Sequence, residues 1–255
     1  MSERSDLSTA RLTADFQRRY EPNFAWKSAC SVFACLPGLR GLWPMSSFDE
    51  NGDAYDLSGQ GRTLSYNGNP TYSYADLIPY IDLDGVGDFL SRADEAGLDI
   101  TGTESYVGAA KGLTLGGWYR PGNVNAAYLM SKMGAVGNYS YWLQQTATVD
   151  FQVSVDGTNV TSVSGAAPVA NAWKFIVGCF YPSTYLRLYI NDAIYTNAVA
   201  IPASIFNGNG PFQVGAGNSA SPLTGRASLQ FLCCQALSAT LVRSTFEQTR
   251  AMFGA

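Results

Sequence analysis

The sequence predicts an all-β protein: a two-sheet antiparallel sandwich with a short N-terminal arm and a C-terminal helix. Three observations carry this. From Gly41 onward the chain breaks into short apolar-rich runs separated by Gly, Asn, Asp and Pro, the punctuation of strands and turns. Several runs alternate with period two: Phe151, Val153 and Val155 oppose Asp150, Gln152 and Ser154, and Leu186, Leu188 and Ile190 oppose Tyr185, Arg187 and Tyr189. A strand with one apolar face implies a sheet that a second sheet must cover. At both ends of the chain the apolar spacing becomes helical.

The arm spans residues 1–36. Ser8 is placed to cap a helix carrying Leu12, Phe16 and Tyr20 at i, i+4 and i+8, which ends before Pro22. A stripe one residue wide makes a marginal helix that needs a partner surface. The arm also holds Phe24, Trp26, Val32, Phe33 and Leu36, interleaved with Arg11, Arg18, Arg19 and Lys27. Apolar anchors in a polar rim are the make-up of an interface. The expectation is docking, with Leu12, Phe16, Tyr20, Phe24 and Trp26 as anchors, on a capsid or tail protein or on a second copy. The rival is an arm folded back on its own domain.

Residues 37–255 form the domain. Its strand candidates are Tyr80–Leu83, Leu113–Tyr119, Ala127–Lys132, Tyr139–Gln145, Val149–Val155, Trp173–Tyr181, Tyr185–Ile190, Phe212–Val214 and Ala227–Gln235. Ser238 then caps a closing helix whose Val242, Phe246, Thr249 and Phe253 share one face, with Gly254 past its end.

Composition narrows the function classes. Of 255 residues 46% are apolar, enough for a sizeable core, and only 14% are charged. A net charge of −4 without a long basic run argues against nucleic acid, which is held by clustered Lys and Arg. No run of 18 apolar residues is present, so membrane insertion is not expected. Arg4, Asp6, Arg11, Asp15, Arg18, Arg19 and Glu21 interrupt any secretory signal. The five cysteines are an odd set, and Cys233 and Cys234 are adjacent on a strand. They read as thiols, most of them core fillers, in a protein folded under reducing conditions.

The order of segments from Trp43 resembles the laminin-G-like jelly rolls of the concanavalin A-like lectin/glucanase superfamily. The pieces are Leu42-Trp43-Pro44, Asp56-Leu57-Ser58-Gly59-Gln60-Gly61, Leu83-Asp84-Gly85-Val86-Gly87-Asp88-Phe89-Leu90, Leu113-Thr114-Leu115-Gly116-Gly117-Trp118-Tyr119, Tyr139-Ser140-Tyr141-Trp142-Leu143, Trp173-Lys174-Phe175-Ile176-Val177-Gly178, Leu186-Arg187-Leu188-Tyr189-Ile190-Asn191-Asp192, Leu223-Thr224-Gly225-Arg226-Ala227 and Ala236-Leu237-Ser238-Ala239. The resemblance implies a jelly-roll sandwich over roughly residues 42–242. Ser228 stands where the family often has an acidic residue, and Ala193 where it often has Gly, which weakens any family-like polar site beside the last strand.

The chain has no histidine, which removes His-activated nucleophiles and His-ligated metal sites. Glycosidases of that superfamily carry Glu-x-Asp-x-x-Glu along a strand. Glu3, Glu21, Glu50, Glu95, Glu104 and Glu247 offer no such spacing, and no strand supplies two carboxylates at the separation hydrolysis needs. The loop Asp49-Glu50-Asn51-Gly52-Asp53-Ala54-Tyr55-Asp56 leaves two readings open. One is calcium held by Asp49, Asn51, Asp53 and Asp56. The other, a solvated turn, is the expectation, because the Gly and Glu of a true EF-hand loop are missing. Asp82, Asp84 and Asp88 around Gly85-Val86-Gly87 read as a hairpin turn. Trp118 and Trp173 are assigned to the core. The remaining strand aromatics, Tyr128, Tyr141, Trp142, Tyr185 and Tyr189, are the candidate ligand-binding residues, since aromatic faces bind sugars and proteins. The expected function is a non-enzymatic structural or attachment protein on a virus (bacteriophage) particle surface, as decoration, fibre or tail component, binding host glycans. The second class is a free or cell-attached carbohydrate-binding module. No cofactor is expected, calcium being the one open case.

Overall fold

The structure, a computed structural model, describes residues 24–48, 51–75, 78–104 and 111–255. Leu12, Phe16, Tyr20, the side chain of Phe24, and Asp49 lie outside the described residues. In chain order the elements are helix α1 (Phe24–Ala34), then β1 (Leu39–Trp43), β2 (Ser65–Asn67), β3 (Thr71–Ala75), β4 (Ile78–Asp84), β5 (Phe89–Arg92), β6 (Leu113–Pro121), β7 (Ala127–Met133), β8 (Tyr139–Gln145), β9 (Val149–Ser154), β10 (Val160–Ser164), β11 (Lys174–Tyr181), β12 (Tyr185–Ile190), β13 (Ala193–Asn197), β14 (Phe212–Val214) and β15 (Thr224–Cys233), and last helix α2 (Ala239–Phe253).

The strands form two antiparallel sheets. The larger runs β13-β12-β11-β6-β15-β4-β3, with β1 also on β15; the smaller runs β10-β9-β8-β7-β14-β5-β2. This is the two-sheet sandwich expected from the alternating strands. Between the sheets lies one core, to which the larger contributes Ile81, Leu83, Leu115, Tyr119, Ile176, Phe180 and Leu188, and the smaller Met130, Tyr141, Leu143, Phe151 and Val153. The sheets approach closely at Gly178, where a Cβ would stand 2.5 Å from the Phe151 ring.

The larger sheet is buried on its other face as well. There Trp118, Phe175, Val177, Tyr189 and Phe231 pack with Trp26, Phe33 and Leu36 from the α1 segment and Val242, Phe246 and Phe253 from α2. Trp118 lies flat on Phe253 at 4.1 Å, and its Nε1 donates to Thr249 Oγ1. The closing helix therefore sits as expected, with Ser238 accepting from Leu241 N and Gly254 left-handed at φ 65°. The described part of the arm does not. Trp26 and Phe33 are fully buried, so Trp26 is withdrawn as an anchor for another chain, and residues 24–36 belong to the domain. The sequence reading gave each sheet one apolar face; the larger has two, and the second is what α1 and α2 together cover.

The central strand β15 makes this possible. Its first half pairs with β4 and its second half with β1 along the same edge. Between them a bulge separates Ser228 from Phe231, with Leu229 left-handed at φ 48°. The extra residue resets the alternation, so that Arg226 faces outward before the bulge while Phe231 and Cys233 face the helices after it.

Candidate functional site

The structure scatters the five predicted aromatics. Tyr141 is wholly enclosed between the sheets and donates its hydroxyl to Leu98 O. Tyr189 is buried beneath the helices, and Trp142 is 4% exposed with its edge against Tyr139. All three are filled by packing and are withdrawn as ligand platforms. Tyr128 and Tyr185 are half-buried but sit on different sheets. The ring of Tyr185 already packs, tilted, against Tyr181 at 4.3 Å and carries the Arg187 guanidinium at 4.2 Å.

In the acidic loop, the Asp56 carboxylate accepts from the backbone N–H groups of Leu42, Ser58 and Arg62 and from Ser58 Oγ, all within 2.9 Å. Four donors saturate it, so Asp56 organises a turn and is withdrawn as a metal ligand. Asp53 accepts from Tyr66 N and Ser65 Oγ, and Asn51 is exposed. Among the described residues no three acidic, Cys or His side chains gather as a metal site. At the β4–β5 turn, Asp84 accepts from Val86 N and Gly87 N, the hairpin role read from the sequence.

A different site emerges on the outer face of the larger sheet, beyond the last turn of α2. It is a cleft of about 400 Å³ lined by Tyr80, Arg120, Trp173, Lys174, Arg226 and Phe253, within the size range of small-ligand pockets. Strand register builds it: Asp82 of β4 lies opposite Arg226 of β15, which lies opposite Arg120 of β6. The Arg226 guanidinium covers the Tyr80 ring at 4.4 Å and donates Nε to Asp82 Oδ2 at 3.1 Å. Arg120 donates Nε to Asn171 O at 3.0 Å. Trp173 stands edge-on to Tyr80 at 6.2 Å and to Phe253 at 5.1 Å. It is partly buried in the cleft wall and packs against the outer core, which moves its assignment from the core proper to the core's edge: the loop before β11 sets it against Phe253 at the end of α2. Sequence reasoning missed Arg120, Lys174 and Arg226 as a group. Register alone brings them together; the available hints were Gly225-Arg226 and the Lys beside Trp173.

A family model of laminin-G type, described as the concanavalin A-like lectin/glucanase superfamily, matches residues 94–230, more than half of the chain. The chain belongs to the concanavalin A-like lectin/glucanase superfamily. The superfamily match takes in Arg120, Trp173, Lys174 and Arg226, and leaves Tyr80 and Phe253 outside it. Solved structures similar to this superfamily member include the binding domain of Paraclostridial Mosquitocidal Protein 1, with TM-score 0.65 and 13% identity over 82% of this chain and 52% of that one. The receptor binding domain of botulinum neurotoxin C/D mosaic serotype is similar with TM-score 0.64 and 10% identity over 82% and 51%. The binding domain of botulinum neurotoxin serotype G gives 0.64 and 12% over 82% and 50%. The chain thus spans about half the length of these structures, and at such identities the likeness is one of fold. No curated protein matches the chain.

Proposed function

We propose that this superfamily member is a non-enzymatic recognition module that binds carbohydrate in the cleft lined by Trp173, Arg120, Lys174 and Arg226. The carrying observation is the cleft itself: a concavity with a partly buried indole in its wall and convergent donors from Arg120, Lys174 and Arg226. Aromatic walls bury a sugar ring at low entropic cost, and fixed donors orient its hydroxyls. Support also comes from the similar structures, which are named as binding or receptor binding domains of toxins. Among the described residues no Asp or Glu side chain lines the cleft, and Asp82 at its border is held by Arg226; these residues offer no carboxylate pair for hydrolysis.

The setting we propose is the surface of a virus (bacteriophage) particle, as a decoration, fibre or tail component. It rests on the free thiols and on the lack of a catalytic set. The described part of the arm lends it no support, because residues 24–36 pack on their own sheet.

Probing a glycan array with the full chain and with Trp173→Ala tests the cleft. Binding to a defined set of glycans that falls about tenfold or more in the variant is expected; no bound glycan, or equal binding by the variant, overturns it. Sedimentation with particles tests the setting, and a chain recovered only as free protein overturns that part.

A further inference from the structure

The charge of the cleft points further than its shape. Three cations, Arg120, Lys174 and Arg226, line it beside Gly254 and Ala255, and among the described residues the one carboxylate ion-paired with any of them is Asp82. Arg120 and Arg226 are direct cross-strand partners on adjacent strands. Like charges directly opposite one another destabilise a sheet, yet a single guanidinium of the two has an ion-pair partner among the described residues. Each arginine spends its Nε on the protein, on Asp82 Oδ2 and on Asn171 O. The Nη groups of both, and Lys174 Nζ, make no hydrogen bond within the described residues. Asp82 and the Tyr80 face together fix the plane of the Arg226 guanidinium, and Trp173, edge-on to Tyr80, lines the same cleft.

We infer that the cleft takes an oxyanion-bearing pyranose, a sugar with a carboxylate or sulfate group, gripped by the outer edges of Arg120 and Arg226 with Lys174 beside them while the ring lies against Trp173. The inference rests on the cleft being the carbohydrate site. Two guanidinium forks present paired N–H donors to a planar or tetrahedral oxyanion. The bound anion also relieves the repulsion between the two arginines, so the ligand's charge completes the sheet face. Asp82 is a positioning residue, holding Arg226 with its free edge toward the cleft.

The test is calorimetric titration of the full chain, at low salt, with matched pairs: sialyllactose and tri-galacturonic acid for carboxylate, sulfated lactose for sulfate, and lactose and galactotriose as their neutral counterparts, with inorganic sulfate alone as a further probe. At least one acidic sugar should bind about tenfold or more tighter than its neutral partner, and the advantage should shrink as salt screens the charges. In Arg120→Gln/Lys174→Gln the advantage should vanish while the melting temperature holds. Which acidic member wins assigns the oxyanion as carboxylate or sulfate. Equal binding of neutral and acidic partners, lost in Trp173→Ala, overturns the charge inference and leaves the carbohydrate site standing. A preference that survives the double variant also overturns it. Binding of inorganic sulfate with no sugar bound, or no binding at all, overturns both.

Discussion

Lys132 shows how much one buried charge can hold. Its side chain is 1% exposed on β7, and Nζ reaches Asp94 at 2.5 Å, Asp99 at 3.2 Å, Gly208 O at 2.7 Å and Gly210 O at 2.9 Å. An ammonium tolerates such burial when every proton has an acceptor and carboxylates balance its charge. Here it ties two loops to the end of the sandwich. Lys132→Met strips three hydrogen-bond acceptors of their donor and Asp99 of its ion pair, and a loss of about 3 kcal/mol is expected in denaturant unfolding at neutral pH; a near-neutral effect would show the loops held by other contacts. Cysteines give a second residue-scale prediction. Burial pushes the thiols of Cys30 and Cys179 up to about 12 and that of Cys233 well above the ordinary range. A pKa raised on folding stabilises the native state below the unfolded thiol value of about 8.5, and that stability is lost as pH rises through the folded value. Unfolding free energy should therefore fall steadily above about pH 9, aided by the raised Tyr119 and Tyr141 hydroxyls. A profile flat through pH 11 would contradict the burial of these groups. A thiol reagent at neutral pH should modify exposed Cys35 first and reach buried Cys179, Cys233 and Cys234 only on unfolding.

At the scale of elements, α1 is the departure from expectation with the largest consequence. Phe33 is enclosed by Phe175 at 6.2 Å and Phe231 at 5.2 Å. Phe33→Ala should cost about 3 to 4 kcal/mol, as aromatic-to-alanine changes in cores do, a magnitude that a segment waiting for a foreign partner would not show. In a dilute monomer, trypsin should leave the bond after Lys27 intact long after the first cuts elsewhere; rapid cleavage there would mean that α1 is undocked. The signal for α1's place was legible in another element. β11, Lys-Phe-Ile-Val-Gly-Cys-Phe-Tyr, is apolar almost throughout, the mark of a strand buried on both faces. Ile176 and Phe180 meet the other sheet while Phe175, Val177 and Cys179 meet the helices. Alternating strands such as β9 and β12 were readable because one face is wet or polar. β2, β3, β10 and β13, short or rich in Ser, Thr, Tyr and Asn at the sheet margins, carry too little apolar contrast for period alone to find them.

For the whole molecule, circular dichroism should be β-dominated with about a tenth helix, well under the globular average of roughly a third, since α1 and α2 contribute 11 and 15 residues. Calcium should move the melting temperature by about a degree or less, because a native-state ligand stabilises only where it binds, and Asp56 has no lone pair to spare; a rise of several degrees abolished by Asp53→Ala would restore the metal reading. The fold was legible in the sequence because its evidence is repeated along the chain in many strands and turns. The cleft was not, because its residues come from β4, β6, the β10–β11 loop, the start of β11, β15 and the end of α2, and only register and a bulge set them side by side. That same bulged strand fixes how the molecule answers to tension. Leu39 of β1 faces Cys233 of β15, and the flanks leading to α1 and α2 depart from this one end. Force applied between Leu36 and Ser238 would open the β1–β15 seam like a zip, one pair at a time toward Trp43 and Gln230, rather than shearing all pairs together. The two helices would peel away with it, taking the Phe253 wall from the cleft while Asp82, Arg226 and Arg120 stay in register. A ligand held there would be let go under load before the sandwich itself came apart.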